Sequence, residues 1–167
     1  TTVYVKKEKN MTNREMIANY NGLNAIQGLE VMHYKRTREK LFKGRVKITY
    51  AIKKNMMEIL EKLKPYNDSR DEVFEEYRDL DKEKEAVENL KKKMIVSPEG
   101  TLEYEREMKV YNEKAGNLQI IMKPGKNQKD YEAKIQELLD IDVADVKIHK
   151  INLDQLEGIE LDSSQIE

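Results

Sequence analysis

The sequence predicts an α-dominated α+β protein, in which one long heptad-patterned helix packs with two shorter helices and a small antiparallel sheet. Charged residues make up 38% of the 167 residues, against roughly 25% in an average domain. Two Phe, no Trp and seven Gly leave few large core side chains. Apolar residues also recur at helical steps through the middle of the chain. These observations favour thin helical packing in a single domain over residues 1–167.

The first two predicted elements are a strand and a short helix. The segment Val3 to Val5 is short and β-branched, which favours a strand. Capping residues at 10–12 then precede apolar residues at helical spacing. These are Met16, Ile17, Tyr20 and Leu23. Gly28 weakens the far end of this helix, which we expect to end near residues 26–29.

A heptad seam follows in the middle of the chain. Its apolar and aromatic members are Ile59, Leu63, Tyr66, Val73, Tyr77, Leu80, Val87 and Met94. Steps of four and three, with charges between, predict a long coiled-coil-like helix that packs on another helix, in this chain or in a second copy. We expect it over residues 44–94. Because Pro65 removes one backbone hydrogen bond, the helix kinks or restarts there.

The last third of the sequence predicts turns, a helix and a strand. Residues 95–126 are rich in turn signals, including Ser97-Pro98-Glu99-Gly100, and a strand is predicted near 118–122. The region 127–161 begins with a helix capped by Asn127. Its apolar face is Tyr131, Ile135, Leu138 and Leu139. Residues 143–151 alternate and are β-branched, which predicts a strand that pairs with Val3 to Val5.

The charges of the chain are separated along the sequence. In total, 31 Lys and Arg oppose 32 Asp and Glu, so no global excess requires a nucleic-acid, membrane or acidic partner. Locally, eleven basic residues oppose three Glu between Val31 and Lys64, a charge of +8. Between Asp68 and Leu90, ten acidic residues oppose four basic ones, a charge of −6.

The basic window supplies the candidate partner-binding residues. They are Lys35, Arg38, Phe42, Lys43, Arg45, Lys47, Tyr50, Lys53 and Lys54. One interpretation is a basic helix surface that meets the acidic window in the same chain or in a neighbouring copy. A second is nucleic-acid binding, since phosphate neutralisation and base stacking use these residue types. A third is a protein partner with an acidic face. The seam likewise suits either a core or a helix-binding interface.

Catalytic chemistry has little support in the sequence. With no Cys, and with His33 and His149 far apart outside any HExxH pattern, a zinc site is not expected. Pro124-Gly125-Lys126 lacks the first Gly and the Ser or Thr of a phosphate-binding loop. No run of about 18 apolar residues predicts a membrane span. We therefore expect no catalytic residue, no metal and no cofactor.

Two segments resemble a known group of proteins. They are RVKITYAIKKNMMEILEKLKPYNDSRDEVFEEY (45–77), which follows a helix ending in Asn-Gly-Leu, and YEAKIQELLDIDVADVKIHKINLDQLEGIEL (131–161). Their order and spacing resemble small uncharacterised proteins of tailed phages and prophages of Gram-positive bacteria. The resemblance covers about two-thirds of the chain, whereas residues 80–112 and 3–5 depart from it.

The resemblance implies a phage origin and a non-enzymatic role in the host cytoplasm, and it transfers no catalytic residues. Small phage proteins of this kind assist virion assembly or bind and inhibit a host protein, including defence nucleases. We therefore predict a protein-protein interaction module with a host or phage partner. A second copy of the chain and nucleic acid are the alternative partners.

Overall fold

A computed structural model describes residues 7–28, 30–32, 38–40 and 42–149. The elements in chain order are β1 (Lys7–Thr12), α1 (Asn13–Gln27), β2 (Glu30–Met32), β3 (Arg38–Lys40), α2 (Val46–Tyr77), α3 (Leu80–Met94), α4 (Leu102–Gly116), α5 (Gln128–Leu139) and β4 (Asp142–Ile148). This architecture confirms the predicted α-dominated α+β class. The chain divides into two compact units, unit 1 (Thr1–Asn67 with Glu137–Glu167) and unit 2 (Asp68–Gln136).

A two-stranded antiparallel sheet lies in unit 1. β1 pairs with β4 from Lys7↔Ile148 to Thr12↔Asp142. The register shifts between Lys9 and Met11, and Asp145 in β4 has a φ of 60°. Asp tolerates this left-handed conformation better than most residues, so one extra residue bulges from β4 there. β4 confirms the predicted carboxy-terminal strand, while its predicted partner at 3–5 lies outside the described residues.

Helix α1 confirms the first predicted helix. Thr12 accepts a hydrogen bond from the Glu15 backbone N–H at 3.1 Å, and the Glu15 carboxylate accepts one from the Thr12 backbone N–H at 3.2 Å. This capping box satisfies backbone donors that a helix start leaves without partners. The helix ends at Gln27, with Gly28 as its C-cap, within the predicted range. The buried amide of Asn13 then donates to the Leu138 carbonyl at 2.7 Å.

The core of unit 1 forms between α1, α2 and the sheet. Its buried side chains are Met11, Met16, Ile59, Leu63, Tyr66 and Val146. Three of them, Ile59, Leu63 and Tyr66, are members of the predicted seam. Helix α2 is continuous through Pro65, so the helix does not restart there. The Pro65 side chain is exposed.

Side chains of α2 also bind backbone groups at the carboxy-terminal end of β4. Asn55 is buried; its amide donates to the His149 carbonyl at 3.0 Å and its carbonyl accepts from the His149 N–H at 2.7 Å. One turn later, Glu58 accepts a hydrogen bond from the Lys147 N–H at 3.1 Å. The helix thus occupies backbone groups that a further strand would otherwise bind. This fixes which face of α2 is turned inward.

The long helix predicted over 44–94 is wrong, because the structure has two helices there and the break between them lies in unit 2. α2 ends at Tyr77, and Asp79 caps α3 by accepting from the Lys82 N–H at 3.1 Å. Backbone bonds to another segment replace the helical ones at the break. Asp79 N–H donates to the Ile121 carbonyl at 2.8 Å, and Lys123 N–H donates to the Tyr77 carbonyl at 2.9 Å.

The segment 95–126 also differs from the prediction of turns and a strand. It contains a full helix, α4, which packs against α3 as a hairpin. Glu107 holds the connection by accepting hydrogen bonds from the Val96 and Ser97 N–H groups and the Ser97 hydroxyl. Near 118–122 only Met122 forms a bridge, to Arg78. Helix α5 confirms the helix predicted from residue 127.

Candidate interaction surface

Seven of the predicted partner-binding residues, from Phe42 to Lys54, lie in unit 1 just before α2 or in its first turns. Lys35 lies outside the described residues, and Arg38 belongs to β3. A turn at 42–44, with Gly44 at a φ of 76°, leads into α2. Phe42 and Arg45 are partly buried around this turn. The other members are exposed: Lys43, Lys47, Tyr50, Lys53 and Lys54.

The structure adds a row of residues to this set, here named the α2 stripe. Its members are Val46, Tyr50, Lys53, Met57, Leu60 and Lys64. They follow one another at steps of four and three. At 3.6 residues per turn, they fall within an arc of about 80° on the helix. The stripe therefore forms one continuous line along α2.

The α2 stripe lies opposite the buried face of the helix. The buried positions of α2 in unit 1 are Ile48, Ala51, Ile52, Asn55, Ile59, Leu63 and Tyr66. In contrast, Val46 is 75% exposed, Tyr50 61%, Met57 64% and Leu60 47%. Single exposed apolar residues are common on protein surfaces, but rows of them are typical of interfaces. Covering such a row would favour association by roughly 1 kcal/mol per side chain.

The charge around the α2 stripe is strongly positive. From residue 43 to 64, five lysines (43, 47, 53, 54 and 64) are exposed against one exposed acidic residue, Glu61. The first turn of α2 carries no acidic side chain, and a helix amino terminus adds partial positive charge. Among the residues that the structure describes, Lys47, Lys53 and Lys54 form no ion pair. The surface is therefore both apolar and basic.

A shallow cleft opens at the amino-terminal end of the α2 stripe. Its volume is about 200 Å³, and Arg45, Val46, Lys47 and Ile48 line its described part. Of these, Ile48 is buried and Val46 is exposed. An apolar side chain of a partner would find contacts there that a flat helix surface does not offer.

The seam residues are divided between the two units. Ile59, Leu63 and Tyr66 belong to the unit 1 core. In unit 2, Tyr77 is buried, whereas Val73, Val87 and Met94 are partly buried and Leu80 is exposed. The α2 stripe, rather than the seam, is the exposed apolar row on α2. The set predicted from the sequence contains Tyr50 and Lys53 of this row but lacks Val46, Met57, Leu60 and Lys64.

Unit 2 holds a polar cleft whose groups bind one another. It has a volume of about 330 Å³ and is lined by Glu75, Arg78, Asp79, Leu80, Asp81 and Lys123. The Arg78 guanidinium lies 4.3 Å from the Phe74 ring centroid and donates to Glu83 at 3.0 and 2.7 Å. The hydrogen bond to Glu83 raises the pKa of Arg78. Lys123 donates to the Glu75 carbonyl. These contacts stabilise the end of α2, and both cations have protein partners.

Comparison with protein-family models, with curated proteins and with solved structures gives no match. Within the described ranges, no helix is long and apolar enough to cross a membrane. The same residues contain no group of three His, Cys, Asp or Glu side chains arranged to hold a metal ion.

Proposed function

We propose that this protein is a non-enzymatic, phage-encoded interaction module that binds a protein partner in the host cytoplasm. The α2 stripe and the adjacent lysines make the contacts, and the partner presents an acidic surface. The observation that carries the proposal is the continuous apolar and basic row on the outward face of α2. The partner is a host protein that is inhibited by binding, or a phage protein whose assembly is assisted.

The apolar members of the surface favour a protein partner over nucleic acid. Phosphate contacts need Lys and Arg, and single-stranded bases need aromatic side chains on which to stack. Tyr50 alone meets the second need on the α2 stripe, whereas Val46, Met57 and Leu60 have no use in such a site. Apolar anchors within a charged rim are typical of protein interfaces.

Complementary charge gives this surface its selectivity. Like charges brought together across an interface cost several kcal/mol, while opposite charges speed encounter and fix register. A partner with an acidic surface is therefore preferred. The resemblance of 45–77 and 131–161 to proteins of tailed phages and prophages supports a phage origin. A protein of phage origin would bind either a host target or a virion component.

The proposal is tested by affinity capture from infected and uninfected host lysates, with and without nuclease. The tagged chain is compared with a charge-reversal variant, K47E/K53E/K54E. The matched control, K84E/K92E/K109E, makes the same change at exposed lysines of unit 2. We expect a nuclease-resistant partner that the first variant loses and the control retains. Retention of every partner by K47E/K53E/K54E at low salt would refute the proposal, and loss of every partner after nuclease would establish nucleic-acid binding instead.

A further inference from the structure

We infer that the α2 stripe receives one amphipathic helix of another protein, whose apolar seam is flanked by acidic side chains. This inference rests on the proposed function and specifies the partner. It follows from the spacing of the α2 stripe, from the groups that surround it and from the sign of its charge.

The spacing of the α2 stripe matches a helix and not a strand. Its steps of four and three are those of a coiled-coil seam, in which side chains of one helix fit between those of another. From Val46 to Lys64 it extends about 27 Å, or five helical turns. A partner helix of two to three heptads covers this length. A strand would need a sheet edge, and at the described outer edge of β4 the Lys147 N–H and the backbone of His149 already bind Glu58 and Asn55.

The lysines in the row define the flanks of the partner helix. Lys53 and Lys64 stand in the α2 stripe itself, and Lys47 and Lys54 lie along one side of it. Lysine stems can cover apolar surface while their ammonium groups reach outward. In a helix pair, these groups meet the residues that flank the partner's seam, so Asp or Glu is required there. A partner helix with Lys or Arg at these flanking positions would be repelled by the lysines of α2.

The α2 stripe of a second copy meets this requirement poorly. In a parallel pair, Lys53 would face Lys53 of the other copy, and Lys64 would face Lys64. An antiparallel pair would match Tyr50 with Leu60, but it would bring the five exposed lysines of each copy onto one interface. Like charges in such a pair are unfavourable. The charge pattern therefore disfavours two α2 stripes paired with each other, and a different protein is the occupant that we infer.

The first test is a titration of the full chain with two synthetic peptides of three heptads. Both carry Leu at the seam positions; one carries Glu and the other Lys at the flanking positions. We expect calorimetry to detect binding of the Glu peptide alone. Its affinity should fall at least tenfold from about 0.05 M to about 0.5 M salt, because salt screens exposed charges.

The second test locates the binding on the α2 stripe. The double variant Y50A/M57A should bind the Glu peptide at least tenfold more weakly, with an unchanged circular dichroism spectrum, because both side chains are exposed. The matched control, L80A/V96A, removes exposed apolar side chains from unit 2 and should bind as the original chain does. The inference is overturned if the Glu peptide fails to bind or if Y50A/M57A binds it equally well.

Two further measurements distinguish the partner helix from other occupants of the α2 stripe. Sedimentation that shows a dimer, abolished by Y50A/M57A, would replace the partner helix by a second copy. A peptide of residues 151–167, which carries five acidic residues and no basic one, would identify the chain itself as the occupant if it bound more tightly than the Glu peptide. If lysate partners survive Y50A/M57A but not K47E/K53E/K54E, the proposed function stands and the helix inference falls.

Discussion

The substitution Asn55→Ala tests whether the hydrogen bonds of Asn55 fix which face of α2 is turned inward and which outward. Asn55 is 5% exposed, and its amide makes both hydrogen bonds to the backbone of His149, at 3.0 and 2.7 Å. Alanine preserves the helix but removes both partners of His149. The end of β4 then loses its attachment to α2.

The expected cost follows from the two lost bonds. Each contributes about 0.5 to 1.5 kcal/mol net, and a buried group left without a partner costs about 1 to 3 kcal/mol. His149 is only partly buried, so water satisfies part of what is lost. We expect the free energy of unfolding to fall by about 2 kcal/mol. With a urea dependence of about 1 to 3 kcal/mol per molar, the midpoint should fall by about 1 M.

Urea unfolding, followed by circular dichroism, measures this loss. Hydrogen exchange at the His149 amide provides a local readout. The matched control is Asn19→Ala, since the Asn19 amide makes one exposed bond to the Glu15 carbonyl and its loss should change stability by less than about 0.5 kcal/mol. If Asn55→Ala costs no more than this control and the His149 amide remains protected, Asn55 does not anchor β4.

Three other predictions concern the core, the α3–α4 connection and the end of α2. Ile59→Ala, at a fully buried position, should cost about 2 to 5 kcal/mol in urea unfolding. Hydrogen bonds from the Ser97 N–H and hydroxyl lower the pKa of Glu107 below its ordinary value of 4.5. The carboxylate therefore stabilises the connection above pH 4.5, and this stabilisation is lost as the pH falls through the lowered pKa of Glu107. Hydrogen exchange at the Ser97 amide should accelerate at low pH, and Glu107→Ala should remove that response. Glu83→Gln, which weakens two partly buried bonds from Arg78, should cost about 1 to 3 kcal/mol in the same unfolding assay.

Elements specified by local signals were predictable from the sequence. The cap at Thr12, the apolar spacing after it and Gly28 define α1 within a few residues. The β-branched alternation near Val143 defines β4 equally well. Helix α4 had a local signal too, since Tyr104, Met108, Tyr111 and Ala115 recur at steps of four and three. The prediction followed the turn residues before it, at 97–100, and did not use that spacing.

Features that depend on distant partners were not predictable. The break after Tyr77 is stabilised by backbone bonds to Ile121 and Lys123, more than forty residues away along the chain. The seam spacing continues across the break, so periodicity alone favours one uninterrupted helix. Asn55 gives no local sign that it binds a strand near the other end of the sequence. Only the folded chain brings these groups together.

The candidate surface lies on the less apolar of two rows along α2. Helix α2 carries two rows at steps of four and three, one through Ile59 and Leu63 and the other through Met57 and Leu60. The first row has the apolar side chains Ile59, Leu63 and Tyr66 in unit 1, and these are buried in the core. The second contains Lys53 and Lys64, which burial within the chain would penalise. The same lysines keep the row exposed and positively charged. The partner helix that we infer would remove that penalty, because its acidic flanks would pair with the lysines as it covered the apolar side chains.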